Sequence, residues 1–244
     1  MRRSTRILLL LLSAITLLSI ASVVSTSYCP AAGIAVSVET RAIHELKNRT
    51  ALPQQWDFDT SISLSSMLEP GNDSTRFSAI RAAQIQGYVV DVSEGGIELA
   101  NCYSPWRRDT HIGLALRPDA PPREQVVMEI SATIRDRAEG QSRDWSTATL
   151  KSELMGHWCY FEGWMFFDSA HAHESENTAP GRSGNWRATA WEIHPVTFLE
   201  VKKEDSEPRP LFPSPAEAPP RSPSAQQRLM SDIELARSLP LSVL

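Results

Sequence analysis

The 244-residue sequence predicts a mainly β protein: an OB-like five-stranded barrel with one short helix, preceded by an N-terminal signal or anchor and followed by a Pro-rich disordered tail. Three observations carry this. Five runs rich in β-branched and aromatic residues lie between 83 and 201, separated by Gly- and Pro-bearing turn signals. One helical pattern sits between the third and fourth runs, which is the element order of a small closed barrel of this type. The apolar and Pro-rich stretches that do not suit such a core fall at the two ends.

Taken in order, residues 1–27 read as a signal peptide or membrane anchor. MRRSTR is basic and the run from Ile7 to Val24 is apolar apart from small hydroxyl residues. Small residues at 25–27 or 31–32 would suit cleavage; the run also reaches the ~17–25 residues that span a bilayer, so an uncleaved anchor is the alternative. Tyr28 before Cys29 argues against a lipoprotein site. Residues 33–80 form a weakly structured N-terminal extension, in which the alternation of TSISLSSM (Thr60 to Met67) suggests a short strand. The barrel domain is placed at 81–203. Its strands are expected at Ala83–Val92, His111–Leu116, Val126–Thr133, His157–Phe167 and Trp186–Val201, with Glu94-Gly95-Gly96 as a bend or bulge. The fourth run is apolar on both faces, so both should be covered. Trp145–Met155 has Ser146 as a cap, Leu150 and Leu154 one turn apart, and Gly156 after its end. Residues 204–244 form a Pro-rich disordered tail with a short C-terminal helix around Leu229, Ile233 and Ala236.

The chain has 24 Lys and Arg against 29 Asp and Glu, a formal net charge of −5, and three of the arginines belong to the leader. Phosphate-backbone binding depends on basic side chains that displace counterions. Nucleic acid is therefore an unlikely partner for the acidic barrel, and membrane contact is expected only through residues 7–24 if they are retained. Exported chains meet an oxidising compartment, so Cys102–Cys159 is the expected disulfide, with two buried free thiols as the alternative and Cys29 lost or unpaired.

The chemistry concentrates at 161–194, where His171, His173 and His194 lie among Glu162, Asp168, Glu174, Glu176 and Glu192. Side chains two apart share a strand face. Asp109 with His111, and Glu192 with His194, therefore form two carboxylate-x-histidine pairs, each able to orient an imidazole as metal ligand or base. A helical turn over 169–176 would put His171 and Glu174 together. The candidate site is thus Asp109, His111, Asp168, His171, Glu174, Glu192 and His194. A divalent metal such as zinc would take His111, His171 and His194. Pro195 cannot donate to a sheet ladder, so the strand should bend or bulge there. That places His194 at a barrel rim, in one depression with Glu192, His111 and Asp168. Arg187 is read as a structural ion pair on the face opposite Glu192 and His194. Carboxylate–histidine pairs also serve merely to satisfy each other's hydrogen bonds. HExxH, GxSxG and paired CxxC motifs do not occur, and Asn48-Arg49-Thr50 and Asn72-Asp73-Ser74 match the glycosylation sequon.

From about Gln86 to Val201 the chain resembles a group of uncharacterised exported bacterial proteins. The resemblance rests on GYVVDV, the Ala100-Asn101-Cys102 turn, the D-x-H strand at Asp109 and His111, FFDxxH at Phe166-Phe167-Asp168 with His171, and NWRATAWEIHPV with Glu192, His194 and Pro195. It implies the barrel and export, and no activity. Three functions stay open. One is an exported ligand-binding or interaction module with an unknown ligand or envelope partner. Another is a metal-dependent hydrolase, a phosphoesterase or nuclease, using His111, His171 and His194. The last is a structural envelope protein.

Overall fold

The structure is a computed structural model. It describes residues 29–71 and 73–202. The expected leader at 7–24, the Pro-rich tail and its C-terminal helix lie outside the described residues, and among those described no helix is long and apolar enough to cross a membrane.

Five strands close a barrel in the order β1-β2-β3-β5-β4, with β4 pairing back onto β1. They are β1 (Ala82–Glu94), β2 (Thr110–Ala115), β3 (Val126–Ile130), β4 (Trp158–Phe167) and β5 (Trp191–Val201). All pairings are antiparallel except β3 with β5, which meet at Met128 and Ile193. The long β1 closes the barrel by serving two partners. Ala82 to Tyr88 pair with β4, Tyr88 to Glu94 pair with β2, and a register shift between Val89 and Asp91 turns the strand from one to the other. That bulge does the bending expected of Glu94-Gly95-Gly96. Inside, Ile85, Val89, Ile112, Leu114, Met128, Phe161, Met165 and Ile193 are fully buried. Each such side chain contributes ~1.5–3 kcal/mol of transfer free energy.

The single expected helix is a correction. Among the described residues there are four α-helices: α1 (Val38–Lys47), α2 (Leu64–Leu68), α3 (Ala132–Glu139) and α4 (Thr147–Leu154). Only α4, capped by Ser146 accepting from Thr149 N, corresponds to the predicted Trp145–Met155. α3 begins where the third strand was expected to continue, because the Ser131 hydroxyl accepts from Ile134 N. α2 replaces the strand suggested at Thr60–Met67: Ser63 and Ser66 cap each other reciprocally, and this outweighs the two-residue alternation. α1, capped by Ser37, lies in the segment expected to be weakly structured.

These extra helices lie against the barrel: α1 and α3 pack on β5, and α2 packs on β1 and β3 with Leu64 and Met67 in the core. The segment after α1 covers Trp164 on β4. Arg49 lies 5.0 Å over the Trp164 ring and donates to the carbonyls of Ala79, Met165 and His194, while Trp164 Nε1 donates to Ala51 O. The N-terminal segment is fastened by a disulfide between Cys29 and Cys102. The expected Cys102–Cys159 bond is therefore wrong. Cys159 faces the barrel core on β4 as a buried free thiol, whereas Cys102 sits on a turn that the N-terminal segment crosses. Gly33 makes that crossing possible: it is left-handed at φ +54, and a Cβ there would meet Leu99 O at 2.4 Å. Asn48 of the first sequon is buried, its amide given to Ala31 O and Ala100 O, so it offers no acceptor in the folded chain.

Candidate functional site

The sheet register assembles the site. In the antiparallel β2–β3 pair His111 stands directly opposite Glu129, and the parallel meeting of Met128 with Ile193 brings Glu129 beside His194 on β5. Glu129 thus touches both imidazoles: His111 Nε2 is 3.1 Å from its Oε1 and His194 Nδ1 is 3.1 Å from its Oε2. Asp109, just before β2, lies with Oδ2 3.9 Å from His194 Nε2. Its Oδ1 accepts from Asn101 Nδ2 at 2.9 Å and Ala132 N at 2.8 Å, so the turn after β1 and the start of α3 hold it in place. At the outer end Glu98 pairs with Lys47 from the last turn of α1.

A second arm continues from β5. Glu192 Oε1 lies 3.0 Å from His194 Nδ1, and its Oε2 accepts from Arg187 Nη2 at 2.6 Å. Arg187 Nη1 donates to Asp168 Oδ2 at 2.8 Å, and the same oxygen lies 2.7 Å from His171 Nδ1. Residues 187–191 are aimed by the buried Asp73, which accepts from Thr189 Oγ1 and Ala190 N, while its backbone carbonyl accepts from Trp191 Nε1. A 3-10 turn over Ser169–Glu174 brings His171 and Glu174 to Trp186. Glu174 accepts from its indole N–H at 2.5 Å, and His171 meets the ring edge-on at 5.9 Å. His111 lies parallel to the same indole, centroids 6.3 Å apart.

Five carboxylates (Glu98, Asp109, Glu129, Asp168, Glu192) are therefore linked to two permanent cations, Lys47 and Arg187, and to three histidines. The surplus negative charge shows in the acidities. Glu129 is the main cause that raises His111 to about 9, against burial. Burial opposes charge on His194 still more strongly, yet Glu129 and Glu192 carry it to about 10. Burial also pushes Asp109 up, reinforced by Glu129, to about 6 despite His194 and Lys47. Glu129 goes the other way: burial would raise it, but His111, His194 and Lys47 hold it well below the ordinary carboxylate range. Two neighbouring acids are thus pushed apart, as carboxylates that share one buried site are.

Of the sequence candidates, Asp109, His111, Asp168, His171, Glu192 and His194 belong to this one network, and Glu174 joins it at its edge, through Trp186 and through its charge on His171. The His111, His171, His194 set does not form one ligand group among the described residues. The groups that could hold a cation are Glu98 with His111 and Glu129, and Asp109 with Glu129 and His194; His171 is taken up by Asp168. The rim position of His194 is also a correction. The pairing with β4 does shift opposite Pro195, but His194 is 0% and Glu192 1% exposed, because α1, the 49–51 segment and the 168–190 excursion close over that barrel end. Arg187 precedes β5 rather than lying on it, and so reaches Glu192 instead of facing away. Sequence reasoning passed over Glu129, Glu98 and Lys47. Glu129 had a signal: a lone carboxylate in the apolar strand VVMEI.

Three buried atoms of the cluster have no hydrogen-bond partner: His111 Nε2, Glu129 Oε1 and His194 Nε2. The first two are 3.1 Å apart yet misaligned for a hydrogen bond. Orphaned buried polar atoms are rare and need a cause. Comparison with models of known protein families and with curated proteins finds no match for this chain.

Proposed function

We propose that this chain is an exported barrel domain that binds a divalent transition-metal cation through Glu98, His111 and Glu129. One observation carries the reading: His111 Nε2 and Glu129 Oε1 face each other at 3.1 Å, buried, as an ion pair without the alignment of a regular hydrogen bond, and neither atom has another partner. Two ligand atoms around a tetrahedral zinc, each bonded at ~2.0–2.1 Å, lie about 3.3 Å apart. An imidazole with two carboxylates suits zinc and its first-row neighbours. Glu98 and His111 keep about a quarter of their side-chain surface open, 24% and 25%, which supplies an entry path.

The reading is of cation binding; the cavity of about 680 Å³ between Leu68, Leu116, Arg123, Pro180 and Ala188 lies apart from the cluster. Export is supported by the Cys29–Cys102 bond, which an oxidising compartment would maintain, and by the basic and apolar leader. The test is equilibrium dialysis of the chelator-stripped protein against Zn(II). Retention of zinc by the wild type and its loss in His111→Ala is the expected result. A wild type that retains no zinc, or a variant that retains as much, refutes the reading.

A further inference from the structure

We infer that the cluster holds two cations bridged by the Glu129 carboxylate, the second of them seated between Asp109, Glu129 and His194. This rests on the reading above, which concerns the outer cation alone. The two candidate ligand groups share one residue, Glu129, and its two oxygens point to different imidazoles: Oε1 to His111 and Oε2 to His194. Oε2 meets His194 at Nδ1, and ligand atoms of Asp109, Glu129 and His194 all lie within 4.8 Å of one another, so one carboxylate can serve both groups.

The inner site has its own evidence. His194 is fully buried, and its Nε2 has no hydrogen-bond partner. Glu192 lies 3.0 Å from Nδ1 and is itself fixed by Arg187 at 2.6 Å. With a metal bound, Nδ1 would keep its proton toward this carboxylate and Nε2 would be the ligand atom, which is how metal-bound histidines are oriented. Nε2 faces Asp109 Oδ2 at 3.9 Å. Asp109 presents this oxygen alone, because Asn101 and Ala132 hold Oδ1. Arg187, Glu192 and Asp168 thereby become the outer support of the inner site.

Each ion would have three protein ligands.

The experiment uses metal alone. Wild-type protein, stripped and dialysed against Zn(II), should carry two equivalents by elemental analysis, and the Mn(II)-loaded protein should give a spin-coupled rather than an isolated EPR signal. Asp109→Asn keeps the Oδ1 acceptor and removes one inner oxygen, so it should carry one equivalent and an isolated Mn(II) signal. His111→Ala should lose the outer ion. One equivalent in the wild type with an isolated signal overturns the pair and leaves the outer site standing. No bound metal overturns both. If Asp109→Asn fails to fold, the wild-type stoichiometry and spin coupling decide by themselves.

Discussion

Replacing Arg187 with Leu should be among the most damaging single changes this fold can suffer. The guanidinium is 1% exposed and spends its donors on Glu192 Oε2 at 2.6 Å, Asp168 Oδ2 at 2.8 Å and Thr189 O at 2.9 Å. At an effective dielectric of about 20, each ion pair has a gross attraction of roughly 6 kcal/mol. Most of that is offset by desolvation of the charges, so the intact pair is worth far less. Removing one partner is different: it leaves the buried Glu192 and Asp168 with only His194 and His171 to offset them, which costs up to ~3–5 kcal/mol. Against a whole-domain stability of ~5–15 kcal/mol, that is a large fraction. Urea unfolding in the presence of chelator, followed by tryptophan fluorescence, measures it; the midpoint should fall sharply with little change in slope. Arg187→Leu/Glu192→Gln should recover part of the loss, because the second change removes one orphaned charge. A loss below about 1 kcal/mol for the single variant, or no recovery in the double, would show that water or relaxation already screens the network, and the account of it as a tightly buried assembly would be wrong.

Reduction of Cys29–Cys102, which closes a separation of 73 residues, should cost roughly 4 kcal/mol on the loop-entropy account. Thiol labelling of the native oxidised protein should find no reactive group, since burial pushes Cys159 up to about 12, and one thiol after denaturation; labelling of native Cys159 would contradict its place in the core. The Asp168–His171 pair should stabilise within a pH window. Burial would raise Asp168, but the hydrogen bond from His171 and the charge of Arg187 lower it, so its contribution is present above its unfolded value near ~4 and is lost as pH falls through the lower folded one. His171 is raised chiefly by its bond to Asp168, so its contribution is complete below its unfolded value near ~6.5 and lost as pH rises through the higher folded one. The stability difference between wild type and His171→Ala should therefore be largest between about pH 4 and 6.5. A difference that is flat with pH would exclude the ion pair.

Much of the barrel was legible because strands carry their evidence locally. GYVVDV, THIGLA, VVMEI, WCYFEGWMFF and WEIHPV are each β-branched or aromatic runs between turns, and the α4 signals at Ser146 and Gly156 are adjacent in the chain. The helices α1 to α3 were not legible in the same way. Their polar content is high, and what stabilises them is packing on β5 for α1 and α3 and on β1 and β3 for α2, surfaces that exist only once the sheet has closed. The candidate site divides likewise. Histidine and carboxylate at two-residue spacing announced Asp109 with His111 and Glu192 with His194, whereas His171, expected beside Glu174, is bonded to Asp168.

By itself, then, the sequence determined where the five barrel strands lie, though not their ends, where the helix before β4 begins and ends, and which imidazoles have a carboxylate two or three residues away. Those are matters of local sterics, alternation and capping. Tertiary structure alone decided that Glu129 stands between His111 and His194, that Lys47 arrives from a helix far upstream, that Cys29 rather than Cys159 bonds Cys102, and that His194 is sealed rather than exposed. Each depends on strand register or on a chain crossing between residues tens of positions apart, and a shift of one residue in the β2–β3 pairing would turn Glu129 to the opposite face of the sheet.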